Sequence, residues 1–70
     1  MTYTVVIEKA GENFSAHVPD LPGCVATGAT IEATMEAMRG AVAMHLDGLR
    51  EDGEEIPPAT TVALTVNVAA

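Results

Sequence analysis

The sequence FSAHVPDLPGC, residues 14–24, decides the fold that we predict for this chain. Residues 14–18 alternate apolar and polar side chains, which is typical of a strand with one buried face. The dipeptide Pro22-Gly23 then suits a type II turn, because proline presets φ at the second turn position and glycine accepts a positive φ at the third. A short third strand over residues 24–27 follows this turn and stops at Gly28. The stretch therefore predicts two strands joined by a tight loop.

A further strand precedes this stretch. Residues 2–9, TYTVVIEK, are rich in β-branched and aromatic side chains, and Tyr3, Val5 and Ile7 share one face. Residues 10–13 between the two strands form a short turn, in which a glycine is available for positive φ. The first two strands therefore predict a β-hairpin.

A helix is predicted from about Ile31 to Asp52. Thr30 is a good N-cap residue, and Glu32 puts an acid in the first turn, where the helix dipole favours negative charge. Gly53 suits the C′ position, and the prolines that follow at 57 and 58 forbid continuation of the helix. One face of the helix is apolar, at alternating spacings of three and four residues. This face consists of Ile31, Met35, Met38, Val42, His45 and Leu49.

Residues 60–68 predict a fourth strand. They alternate cleanly, and one face carries Val62, Leu64, Val66 and Val68. The predicted order is β-β-β-α-β, and the fold class is α+β, with one helix packed on one face of a four-element sheet. A crossover through the helix suggests that the fourth strand pairs parallel to a neighbouring strand.

Length and composition limit the classes of function. The chain has 70 residues, which is room for one domain, and its formal net charge is −7. Only Lys9, Arg39 and Arg50 carry positive charge, which argues against nucleic acid as a direct partner. No apolar run is long enough to span a membrane, and no secretory signal is visible. The single cysteine suits a reducing cytoplasm, so we expect a cytoplasmic protein.

Acidic residues crowd the end of the predicted helix and the loop after it. This group consists of Asp47, Glu51, Asp52, Glu54 and Glu55. A helix carboxyl end already carries partial negative charge, so acids there are unfavourable, and only Arg50 offsets them. One interpretation is a solvated end that keeps the protein soluble. The other is a negative pole for a basic partner, which would speed and direct encounter. The residues alone leave both open.

Two reactive side chains point to catalysis or metal binding only weakly. Cys24 lies within eight residues of His17 and Asp20, but no cationic group near it in sequence would hold a thiolate. We interpret Cys24 as a small buried hydrophobic residue. His45 lies in the apolar helix face without a second ligand at helical spacing, so we place it at the margin of the core. We therefore predict no enzyme, metal site or cofactor.

The whole chain resembles the N-terminal domain of the HicB family of type II toxin–antitoxin antitoxins. The resemblance is carried by residues 3–9, by the PDLPGC motif that ends residues 14–24, by the helix entry at 27–32 and by the helix exit at 45–49 and 53–58. It implies a partial RNase H-like fold. It also implies an antitoxin that blocks a small basic HicA-type toxin, an mRNA-cutting ribonuclease. Full-length relatives usually add a DNA-binding segment, and we expect residues 1–70 to be a single HicB-like domain without one.

Two functions follow as hypotheses. In the first, the domain binds and neutralises a HicA-type toxin through an acidic surface. Its partner-binding residues are predicted to be Asp20, at the rim, with Asp47, Glu51, Asp52, Glu54 and Glu55. In the second, the chain is a stand-alone homo-oligomer, a dimer or tetramer, with no toxin partner and an unknown cellular role. It is favoured by the small core and by a second sheet face that is neither charged nor strongly apolar.

Overall fold

A computed structural model describes residues 1–69 of the chain. It has three strands followed by one helix: β1 (Val6–Ala10), β2 (Asn13–His17), β3 (Val25–Gly28) and α1 (Ile31–Glu51). The strands form one antiparallel sheet in the order β1-β2-β3, and α1 packs mainly on β3 and β2. The predicted α+β class and the β-β-β-α order are therefore confirmed.

The hairpin of β1 and β2 forms as its alternation predicts. Val6 pairs with His17, and Ala10 pairs with Asn13, which leaves a two-residue turn. Gly11, the first turn residue, has a φ of +62°, and within residues 1–69 no residue other than glycine has positive φ. Positive φ at the first turn residue alone is the pattern of a type II′ turn, whose twist matches that of the flanking strands.

The PDLPGC motif forms the predicted type II turn. The amide of Cys24 donates to the carbonyl of Leu21 at 3.0 Å, and Gly23 has a φ of +84°. The amide of Val18 donates to the carbonyl of Cys24 at 3.2 Å, so the residue before the motif is bonded to the last residue of the motif. Val18, Leu21 and Cys24 are all buried, with at most 3% of their surface exposed. The motif therefore supplies two core side chains, next to that of Val18, and also aligns β2 with β3.

Both ends of α1 are capped as the sequence predicts. The hydroxyl of Thr30 accepts from the amide of Ala33 at 3.0 Å. At the other end, Gly53 has a φ of +70° and its amide donates to the carbonyl of Arg50, while the amide of Glu54 donates to that of Leu49. These two bonds are the Schellman motif, which satisfies carbonyls that the helix leaves without partners. The helix bounds thus agree with the prediction to one residue.

The core lies between α1 and the sheet. Its buried apolar residues are Ala16, Val18, Leu21, Cys24 and Met38. The apolar helix face is largely confirmed, except that Ile31 is 51% exposed and Thr34 is fully buried in its place. The hydroxyl of Thr34 donates to the carbonyl of Thr30 at 2.7 Å, so its burial leaves no polar atom unpaired. Helix and sheet approach so closely here that a Cβ on Gly28 would lie 2.7 Å from the Thr34 amide nitrogen.

The predicted fourth strand is not formed within the single chain. Residues 54–69 adopt no helix or strand, and residues 62–69 are exposed. The alternation that predicted the strand is real, but a strand requires backbone hydrogen bonds to a neighbour. The described part of this chain provides no such neighbour for residues 62–69, so the four-element sheet is corrected to three strands.

Candidate functional site

The predicted acidic surface lies at the carboxyl end of α1. Asp47 and Glu51 lie in the last turns of the helix, Asp52 is its C-cap, Glu54 ends the Schellman motif and Glu55 follows it. All five side chains are exposed. We refer to these five residues as the acidic end.

The charge of the acidic end is only slightly offset. Arg50 donates to the carboxylate of Asp47 at 3.2 Å, but both side chains are largely exposed, and such pairs contribute little stability. Among residues 1–69, this is the one ion pair that involves the acidic end. The helix carboxyl end adds partial negative charge of its own. The acidic end is therefore a concentrated negative surface held on a capped helix.

Asp20, the sixth predicted partner-binding residue, is half-buried and fully engaged in hydrogen bonds. One carboxylate oxygen accepts from the amides of Thr60 and Thr61, both at 3.0 Å. The other accepts from the two threonine hydroxyls, at 3.2 Å and 2.8 Å. These bonds, foremost that from the Thr61 amide, lower the pKa of Asp20 below its usual value. Asp20 therefore fixes the segment that follows the helix.

Asp20 and the acidic end lie toward the same end of the sheet. Gly28 pairs with Phe14, so β3 ends beside the hairpin turn and α1 runs back from there toward the opposite end. The segment after the helix reaches that end, because the hydroxyl of Tyr3 donates to the carbonyl of Pro57. The structure thus brings the predicted acids to one end of the molecule, with the carboxylate of Asp20 hydrogen-bonded to Thr60 and Thr61.

The contacts of Asp20 were not predicted. Thr60 and Thr61 lie 40 and 41 residues away from it in the chain, and nothing local to either segment indicates the pairing. The one available signal was a pair of consecutive threonines, which offer four donors, shortly after the prolines at 57 and 58.

The two reactive side chains are placed as predicted. Cys24 is buried, and its thiol lies 4.0 Å from the sulfur of Met38. Burial raises the pKa of this thiol, which keeps it protonated and a poor nucleophile. His45 is half-buried at the margin of the core. Within residues 1–69, no helix is both long and apolar enough to cross a membrane.

This arrangement defines a small α+β domain with an acidic end and a buried cysteine whose pKa is raised. Residues 3–69 match the family described as the HicB-like antitoxin of bacterial toxin–antitoxin systems. Since the match spans nearly the whole chain, the chain belongs to this family.

Two other proteins are similar to the chain along nearly its whole length. An uncharacterised 14.9 kDa protein of Haemophilus phage HP1 is 34% identical over 67 residues, which are 96% of this chain and 50% of that protein. A UPF0150 protein of Thermoplasma acidophilum is 31% identical over 68 residues, which are 96% of this chain and 99% of that protein. The chain therefore spans half of the phage protein and nearly all of the archaeal one.

Two solved structures share the fold. The N-terminal domain of the Burkholderia pseudomallei antitoxin HicB superposes with a TM-score of 0.72 at 29% identity, over 83% of this chain and 69% of that one. A chain of the HicA3–HicB3 toxin–antitoxin complex superposes with a TM-score of 0.73 at 30% identity, over 84% of this chain and 70% of that one. The likeness therefore extends to a family member solved in a complex of toxin and antitoxin.

Proposed function

We propose that this domain is an antitoxin module that binds a small basic HicA-type toxin and covers its active site with the acidic end. The observation that carries the proposal is the exposure of five carboxylates on a capped helix end with one weak ion pair among them. Family membership and the solved HicA3–HicB3 complex support a toxin of this type as the partner. The role is binding without catalysis, and we place it in the cytoplasm because the expected toxin cuts mRNA.

The acidic end suits such a partner electrostatically. A ribonuclease must attract RNA phosphates, so its active site is expected to be basic. Asp47 and Glu51 lie on the helix, so their carboxylates can approach that basic site without ordering flexible chain. The charge would act mainly on the rate of encounter and on its salt dependence. In this proposal Asp20 holds the rim of the toxin-binding surface in place, and the acidic end supplies the charge.

The test is rescue of growth from a co-expressed HicA-type toxin, together with binding measured by calorimetry. The test variant is Glu51→Gln/Glu54→Gln/Glu55→Gln. At about 0.5 kcal/mol for each lost charge pair, we expect roughly tenfold weaker binding and a smaller dependence on salt.

The matched control removes the same charge elsewhere. Glu12→Gln/Glu32→Gln/Glu36→Gln changes three exposed acids in the hairpin turn and the first half of the helix. Both variants have the same net charge, so long-range attraction falls equally in each. If the two triple variants bind the toxin equally well, the acidic end is not the binding surface.

The second candidate function is self-association without a toxin, favoured by a different observation. Four large apolar side chains after residue 61 are at least 70% exposed in the single chain. Exposure of a row of this kind indicates a surface that another chain covers.

A further inference from the structure

The segment from 62 to 69, here named the arm, has the alternating pattern of a strand but pairs with no strand among residues 1–69. Its alternate side chains Val62, Leu64, Val66 and Val68 are between 70% and 89% exposed. The radius of gyration is 13.8 Å, against about 11 Å for a compact chain of this length. The longest dimension of the molecule is 49 Å. The arm therefore extends from the body with an apolar face in solvent.

The start of the arm is fixed. The carbonyl of Thr61 accepts from the hydroxyl of Thr4 at 2.9 Å, and Asp20 accepts the hydrogen bonds of Thr60 and Thr61 described above. Because Val6 and His17 form the last pair of the hairpin, Thr4 and Asp20 lie just beyond that end of β1. The arm thus leaves the body from a defined point at the amino end of β1.

A site that fits a strand lies along β1. The outer edge of β1 has no neighbouring strand among residues 1–69. Since α1 packs mainly on β3 and β2, an apolar groove of about 240 Å³ remains between the helix and the β1 side of the sheet. The groove is lined in part by Tyr3, Val5, Met35 and Val42. A strand added at this edge would point every second side chain into the groove.

We propose that two copies of the chain exchange arms, each arm pairing with β1 of the other copy and burying its apolar face in that copy's groove. This inference rests on the second candidate function, self-association, and needs no toxin. Each copy has one arm and one open edge, so a reciprocal exchange closes after two copies and leaves neither unpaired. The arm, residues 62–69, and the open stretch at residues 3–10 are both eight residues long.

The exchange also restores the expected topology. Each arm leaves its own copy at the amino end of β1. In a dimer with two-fold symmetry, the arm therefore reaches β1 of the other copy at the amino end of that strand. The arm then runs parallel to β1, which is the direction that a helical crossover favours. In the exchanged dimer, the fourth strand that the sequence predicts thus pairs with a strand of the other chain.

The first measurement is the mass in solution by light scattering across protein concentrations. A dimer is expected for the wild type, and for Leu64→Asp/Val66→Asp we expect at least a hundredfold larger dissociation constant, because two charges would enter the groove. The matched control is Ala63→Asp/Thr65→Asp, which adds the same charge to the opposite face of the arm and should leave the dimer largely intact. Circular dichroism of each variant reports whether the body is still folded.

The second measurement identifies the contacts directly and needs no variant. In a mixture of isotope-labelled and unlabelled wild-type chains, nuclear Overhauser effects are expected between the Leu64 methyls of one copy and the ring of Tyr3, the single tyrosine, in the other. A wild-type monomer at millimolar concentration overturns both self-association and the exchange. A dimer that lacks these intermolecular nuclear Overhauser effects overturns the exchange alone. The same holds if the Leu64→Asp/Val66→Asp variant dimerises as tightly as the control variant. None of these outcomes bears on toxin binding.

Discussion

The contact between Gly28 and Thr34 gives the sharpest test of the packing. We predict that Gly28→Ala strongly destabilises the fold, because the new Cβ would lie 2.6 Å from the Thr34 hydroxyl oxygen and 2.7 Å from its amide nitrogen. The amide belongs to the first turn of the helix, whose position is fixed by the cap at Thr30. The φ of Gly28 is not positive, so the cost comes from this contact and not from backbone strain.

The expected loss of stability in Gly28→Ala has two parts. Overpacking of a closely fitted site costs about 1–3 kcal/mol. Displacement of the Thr34 hydroxyl from the carbonyl of Thr30 loses a hydrogen bond worth about 0.5–1.5 kcal/mol. The sum, about 1.5–4.5 kcal/mol, is a substantial part of the stability of a domain this size, roughly 4–10 kcal/mol. The Tm should fall by about 6 °C or more.

The assay is urea unfolding at one fixed protein concentration, and Gly40→Ala is the control. Gly40 lies inside α1, and a Cβ there would meet nothing within 4 Å. The same chemical change should therefore stabilise the protein by about 0.5–1 kcal/mol, since alanine favours the helix. If Gly28→Ala costs less than about 1 kcal/mol, or changes stability in the same direction as Gly40→Ala, the close approach that we describe is wrong.

Two further predictions concern single side chains. The pKa of Asp20 is lower in the folded protein, so its contribution to stability is complete above its ordinary pKa near 3.8 and is lost as the pH falls through the lower folded value. The amide resonances of Thr60 and Thr61 should therefore shift together in this acidic range, and an unchanged spectrum in Asp20→Ala would show that the carboxylate does not hold them. Because Cys24 is buried, with a raised pKa, its reaction with a thiol reagent at pH 8 should be at least tenfold slower than in 6 M guanidinium chloride. Equal rates in the two conditions would show that the thiol is accessible in the folded chain.

Features that depend on local chemistry were predictable from the sequence. The type II turn at Pro22-Gly23 and the helix ends at Thr30 and Gly53 all formed where the residue types require them. In each case a short segment determines its own conformation through a preset φ, a permitted positive φ or a capping hydroxyl. Such signals need no knowledge of the rest of the fold.

The features that the sequence did not reveal depend on distant contacts. Ile31 was placed on the apolar face but is half exposed, because the approach of Gly28 turns Thr34 toward the sheet in its place. Hydrophobic periodicity cannot show this, since threonine does not count as apolar. The role of Asp20 was also hidden, because its four donors lie about 40 residues away. The alternation of residues 60–68 was correct, but alternation does not say which chain supplies the neighbouring strand.

The two proposals make opposite predictions for the effect of salt. Each chain carries a net charge of −7, so arm exchange brings like charges together and should strengthen as salt screens them. Capture of a basic toxin by the acidic end joins opposite charges and should weaken over the same range. Both effects can be followed in one sample between 0.05 and 0.5 M NaCl, by light scattering for the dimer and by calorimetry for the toxin. If salt weakens the dimer, the chains associate through attractive charges, and an apolar arm on an open strand edge is not what holds them together.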